Sequence, residues 1–276
     1  MLKQRVIFTL LYDSGRFMLS RNFQLQNVGN IDWLQKNYDF SKVSYSIDEL
    51  IVLDVTRKDR NLDEFCQSLQ LLTEGCFVPI AAGGGINEIE AARKLLRSGA
   101  DKIVVNSALF AGDKLVSDLA SEFGQQCVVA PLDVKSSPDG EYKVWSNNGM
   151  KCEDNSARYW LKAVAADSVG EIYLNSIDRD GSGQGFDLKI LDLLPAEMNK
   201  PVILAGGAGN ASHLLAGLQD SRVDAVATAN LFNFVGNGLK EARNFLVSNG
   251  IVLPMWDIHL LERHLGTDRH SAGKNV

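Results

Sequence analysis

A single (β/α)8 barrel, the TIM barrel, is the fold class this chain predicts, and three observations predict it. Short apolar, β-branched runs recur eight times with amphipathic stretches between them, the rhythm of βα units on a parallel sheet. One pair of motifs occurs twice. VPIAAGGGIN from Val78 leads to GADKIVVNSALF ending at Phe110, and KPVILAGGAGN from Lys200 leads to RVDAVATANLF ending at Phe232. The offset of 123 that relates Ala82 to Ala205 also relates Asp101 to Asp224. Such a period belongs to a duplicated half-domain rather than a solenoid. Finally, 276 residues is long for one ordinary domain but usual for an α/β barrel.

The strands are expected to begin near Val6, Leu50, Val78, Lys102, Cys127, Glu171, Pro201 and Asp224. Their unbroken hydrophobicity, without alternation, is what strands covered on both faces show. INEIEAARKLLRSG from Ile86 reads as an amphipathic helix with Gly99 as its stop. A Rossmann sheet is the rival, weakened because Gly83-Gly84-Gly85 is not GxGxxG and because the strands number eight. No linker interrupts the chain before about Pro254, so residues 1–254 form one barrel, with halves at about 1–122 and 123–254. Residues 255–276 read as an added helix and a flexible polar tail. His259, His264 and His270 fall there, and a solvated surface role is expected of them.

Composition narrows the function. An apolar fraction of 45% fits a globular protein with a full core. A net charge of −6, without a basic run, argues against nucleic acid as a partner. Cys66, Cys76, Cys127 and Cys152 form no CxxC pair and join no His cluster, so no metal or other cofactor is expected. Scattered cysteines fit a reducing cytoplasm, and VIFTLLY, stopped by Asp13, is too short to cross a membrane.

In a barrel the chemistry sits at the C-terminal strand ends. Gly83, Gly84 and Gly85 follow one strand, and Gly206 and Gly207 another. Glycine there lets backbone N–H groups approach a phosphate closely. Asn106 with Ser107, and Asn230, end the next strand in each half and add side-chain donors. The bland alternative is a pair of tight βα turns, which the doubling disfavours. Two equivalent anion sites suit a ligand with a phosphate at each end. NSIDRDGSGQG brings Ser176, Asp178, Asp180 and Gly181 to another strand end, as in a ligand loop. Its aspartates either orient ribose hydroxyls and handle protons, or cap the next helix. Asp133 closes the apolar run CVVAPLD, and a carboxylate held there needs a task or a partner, so it is the first choice for general acid–base work. Matching Val6 to Val128 places Leu11 opposite Asp133. Leucine cannot move a proton.

The paired GGG and GGAG turns, the DRDG loop and SGADKIVVNSA, in this order, resemble the cyclase subunit of imidazole glycerol phosphate synthase over about residues 5–254. That family is a (β/α)8 barrel that forms a heterodimer with a class I glutaminase and draws ammonia through the barrel to a substrate with two phosphates. By resemblance, its second catalytic aspartate falls on Asp133. Its first falls on Leu11, and a flexible-loop lysine falls on Leu19. Phosphate positions fall on Gly84, Asn106, Gly181, Gly206, Gly207 and Asn230. Further active-site positions fall on Asp54, Thr56, Ser176, Asp178 and Asp180, while Asn175 replaces a threonine. The family's charged ammonia gate falls on Arg5, Glu49, Glu171 and Lys102, and a docking aspartate on Asp101. Ordinary strand-start charges are the alternative for these five.

The resemblance implies one of two activities. The chain is a working cyclase of histidine synthesis, or, as the Leu-Leu run at the catalytic position favours, a second-copy paralogue of surface-polysaccharide clusters. The paralogue passes ammonia to a sugar amidotransferase that forms acetamidino sugars. A sugar-phosphate isomerase on the same barrel also needs a carboxylate where Leu11 stands, and it has no use for the gate. A structural partner without a ligand is disfavoured by the doubled glycine turns.

Overall fold

The computed structural model describes residues 3–38, 43–112, 114–230 and 234–255. Strand β1 (Arg5–Asp13) overruns the barrel and turns back through an antiparallel hairpin, β2 (Arg16–Arg21) and β3 (Gln24–Gly29), ahead of helix α1 (Ile31–Asn37). Plain alternation follows: β4 (Glu49–Asp54), α2 (Leu62–Thr73), β5 (Ile80–Gly83), α3 (Ile89–Arg97), β6 (Lys102–Val104) and α4 (Leu115–Phe123). Then the plan repeats. β7 (Val128–Ser136) overruns in its turn, and antiparallel β8 (Tyr142–Ser146) and β9 (Lys151–Ser156) fold over it before α5 (Ala157–Ala166). After these come β10 (Glu171–Ser176), β11 (Val202–Ala205), α6 (Ala211–Leu218), β12 (Ala225–Thr228) and α7 (Gly238–Ser248). A short 3-10 segment, Leu188–Leu193, lies between β10 and β11.

Parallel pairing runs β1–β4–β5–β6–β7–β10–β11–β12 and returns to β1. Eight parallel strands therefore close into a barrel with no free edge, and this is the (β/α)8 architecture. Closure explains the continuous apolar runs. In β1, Val6, Phe8 and Leu10 face the helix layer, while Ile7 faces a lumen shared with Ile51, Ala81, Val104, Val129, Tyr173 and Ile203. Both faces of the strand are buried, so neither alternates with polar residues.

The strands start within two residues of the expected places. Asp224 lies just before β12 instead of in it, and its carboxylate Oδ2 accepts from Val202 N at 2.9 Å. Asp101 does the same for Ile80 N at 2.8 Å, and Asp48 for Val6 N at 2.8 Å. These aspartates satisfy amides at the floor that would otherwise lack a partner. Asp48 is buried and also takes the Arg243 guanidinium at 2.9 and 3.0 Å, tying α7 to the barrel floor. Gly99, at φ 104°, follows α3.

The two hairpins are a correction to the sequence reading, which assigned only barrel strands and helices. Apolar residues at β2 and β8 are too few for a period to stand out in six- and five-residue strands. The expected C-terminal helix and tail lie outside the described residues, Met255 excepted. Among the described residues no helix is long and apolar enough to cross a membrane.

Candidate functional site

At the C-terminal mouth of the barrel lies a cavity of about 410 Å³. β7 delivers Asp133 into it. Its Oδ1 accepts from Asn175 Nδ2 at 2.9 Å, and its Oδ2 from Asn106 Nδ2 at 3.4 Å. Burial pushes this carboxyl up to about 7, against the Asn175 hydrogen bond, and the Asp180 charge adds to the rise. A carboxyl that titrates near neutrality can both give and take a proton.

Across the mouth stands Leu11, with Leu19, Leu25, Leu53 and Ile86 completing an apolar wall. Asp13 lies two residues beyond Leu11, at the β1–β2 turn, where it accepts from Ser14 Oγ. The cavity thus has the Asp133 carboxyl on β7 where the equivalent position of β1 carries hydrocarbon.

Both glycine turns face this cavity. Gly84, Gly85, Gly206 and Gly207 line it, all at positive φ. A Cβ on Gly84 would stand 2.2 Å from Asp54 O, and one on Gly207 2.2 Å from Gly185 O, so only glycine fits. Asn106, Ser107, Gly181 and Asn230 join the lining, as do Asp54 and Asp180. Asp54 Oδ1 accepts from Thr56 N at 2.9 Å and Oδ2 meets Arg60 Nε at 3.0 Å. Burial holds Asp54 above the usual carboxylate range despite these partners. Asp180 Oδ2 accepts from Ser20 Oγ and from Phe23 N at 3.0 Å, which fastens the β2–β3 turn over the mouth.

Three expected residues lie outside the lining. Thr56 Oγ1 accepts from Ser14 N at 3.2 Å, Ser176 is fully buried in β10 behind the second glycine turn, and Asp178 is exposed. Asp178 Oδ2 accepts from Ser136 N at 2.7 Å. Neither loop aspartate caps the following helical segment, because Asp187 does so, accepting from Lys189 N. Strand-end spacing alone could not separate cavity-facing from outward-facing positions in an irregular loop.

At the opposite end of the lumen, four charges close a ring. Arg5 meets Glu49 at 2.8 Å and Glu171 at 3.1 Å, and Lys102 meets the same two carboxylates at 2.9 and 3.0 Å. Burial raises the Glu49 carboxyl, whereas at Glu171 the charges of Arg5 and Lys102 outweigh burial and hold it low. Between ring and mouth the wall combines Ala81, Ala205, Ala225 and Ala227 with larger apolar residues and Tyr173. There Thr9 Oγ1 and Tyr173 Oη lie 3.4 Å apart. Asp101 is exposed on the same floor.

Sequence reasoning missed Tyr173, Arg60, and Asn147 with Asn148 of the β8–β9 turn, all of which line the cavity. For Tyr173 a signal existed: it lies two residues from Glu171 and from Asn175, on the inward face of β10.

A model of the family described as histidine biosynthesis protein matches residues 30–236. A relative from Parasynechococcus marenigrum (strain WH8102), "Putative imidazole glycerol phosphate synthase subunit hisF2", is 44% identical over 243 residues, spanning 88% of this chain and 90% of that protein. The chain belongs to the cyclase-subunit family of imidazole glycerol phosphate synthase. Leu11 and Leu19 are where the cyclase-type cavity of this member carries hydrocarbon on the β1 side.

Proposed function

We propose that this protein is the ammonia-receiving barrel of a glutamine-dependent complex whose own cyclisation is weakened or lost. A glutaminase subunit docks on the floor around Arg5 and Asp101 to form the heterodimer, and ammonia enters through the Arg5–Glu49–Lys102–Glu171 ring. A bis-phosphate or sugar-phosphate ligand sits at the mouth, its phosphates on Gly84–Gly85 with Asn106 and Ser107, and on Gly206–Gly207 with Gly181 and Asn230. Asp133 is its acid–base group. The downstream use of ammonia is acetamidino-sugar formation, carried out by a sugar amidotransferase of surface-polysaccharide synthesis in the cytoplasm.

One observation carries this reading: a closed ionic ring at one end of the lumen is paired with a mouth where the Asp133 carboxyl has a leucine at the equivalent position of β1. A lost general acid or base lowers rate by about two to four decades. The name of the relative favours a second reading, a working cyclase of histidine synthesis. The test is to supply purified protein with ammonium salts and the ribulosyl formimino carboxamide nucleotide. A rate within tenfold of a two-aspartate family member rejects the weakened-cyclase reading and selects the second.

A further inference from the structure

An offset of 122 relates Glu49 to Glu171, and it also relates the loop 54–60 to the loop 176–182. The backbones agree at the tightest point, where Asp59 and Gly181 take φ of 51° and 65°. The side chains do not agree. Where the second loop has Asp180 and Ser182, the first has Lys58 and Arg60. Ser182 Oγ donates back to Arg179 O at 2.7 Å, whereas Arg60 Nη2 reaches one residue further back, to Thr56 O at 2.7 Å. Arg60 Nη2 also reaches Asp54 O at 3.3 Å, and its Nε pairs with Asp54 Oδ2 at 3.0 Å. The guanidinium is thereby locked with Nη1 toward the first glycine turn. A Cβ on Gly85 would stand 1.8 Å from Nη1, so glycine there also makes room for the cation. Nη1 has no acceptor among the described residues. At the second turn, Arg179 Nη1 is directed to Gln184 Oε1 at 3.3 Å, and Asp180 stands in the cavity wall.

We propose that Arg60 makes the two anion sites unequal: Nη1 and the Gly84–Gly85 amides together grip a phosphate dianion, while the Gly206–Gly207 turn binds phosphate more weakly. The proposal rests on the reading of the mouth as a phosphate site. A charged donor held in place strengthens a phosphate contact, and a neighbouring carboxylate such as Asp180 weakens one. A ligand with two unlike ends therefore enters in one orientation, its more highly charged end beside Arg60.

Calorimetric titration with inorganic phosphate at about pH 8, where the dianion prevails, tests this. Arg60→Gln weakens the tighter binding step about tenfold or more, as expected for losing one charge-assisted contact. Asn230→Ala, which removes a side-chain donor at the second turn, leaves that step in place. Arg60→Lys keeps a charge near Asp54 but lacks Nη1, and carries the same comparison if Arg60→Gln fails to fold. Unchanged phosphate affinity in a folded Arg60 variant overturns the proposal, as does loss of the tighter step in Asn230→Ala instead. A parent protein that binds no phosphate overturns the reading of the cavity itself, and this proposal with it.

Discussion

Asp133 and Leu11 hold equivalent positions in β7 and β1, and a proton can be handled only at the first. The sign of the pH dependence at Asp133 follows from its carboxyl, raised to about 7 by burial. In the unfolded chain an aspartate titrates near about 4, so between about pH 4 and 7 the folded state binds the extra proton. Stability from this group is full below about 4 and is lost as pH rises through about 7. Asp133→Asn removes the dependence. Its stability relative to the parent should rise between pH 4 and 8, by about 4 kcal/mol, in denaturant titrations at the two pH values. A flat difference would mean that Asp133 is ordinary. The leucines lead to a gain-of-function prediction: Leu11→Asp with Leu19→Lys should raise cyclisation from ammonium salts by at least tenfold, within the range a restored general acid or base supplies. No gain would show that the mouth has diverged beyond these two positions.

At the scale of elements, the floor of the barrel is where charge substitutes for packing. Asp48 meets Val6 N of β1, Asp101 and Asp224 meet the first amides of β5 and β11, and the buried Arg243–Asp48 pair anchors α7 to that floor. Arg243→Met leaves Asp48 buried without its cation and should cost about 3 kcal/mol in a denaturant midpoint assay. A loss below about 1 kcal/mol would mean that Asp48 is satisfied by Val6 N alone. The ring behaves differently, because its four groups share partners. Lys102→Met leaves Glu49, already raised by burial, with Arg5 alone. Protons should then be taken up at the floor at higher pH than in the parent, as carboxyl-resolved NMR titration would record. How much of this was legible in the sequence depends on whether local pattern decided it. The ring's charges were readable because each stands at the start of a strand. The roles of Thr56 and Asp178 were not, because their direction is set by bonds to Ser14 and Ser136, far away in the chain.

At the scale of the molecule, the two ends of the lumen have opposite characters: an ionic ring below, and a cavity of about 410 Å³ with glycine turns above. The proposed glutaminase joins at the lower end, so Asp101 should matter to assembly more than to stability. Asp101→Asn keeps an oxygen for Ile80 N while losing the charge. It should weaken the heterodimer about tenfold, the size of one desolvated interface charge pair, with little change in thermal midpoint. Sedimentation or titration with the partner subunit measures the first, and an unchanged affinity would take Asp101 out of the interface.

Local sequence determined the eight apolar runs, the doubled glycine turns and the identity of the acid facing a leucine, because strand periodicity, glycine's positive φ and side-chain chemistry are properties of a residue and its near neighbours. Only the tertiary structure decided that Arg5, Glu49, Lys102 and Glu171 meet as one ring, that two hairpins fold over the mouth, and that Arg60 reaches Gly85. Those outcomes depend on how eight strands close, which brings Arg5 to Glu171, 166 positions away, a distance over which no sequence pattern carries a signal.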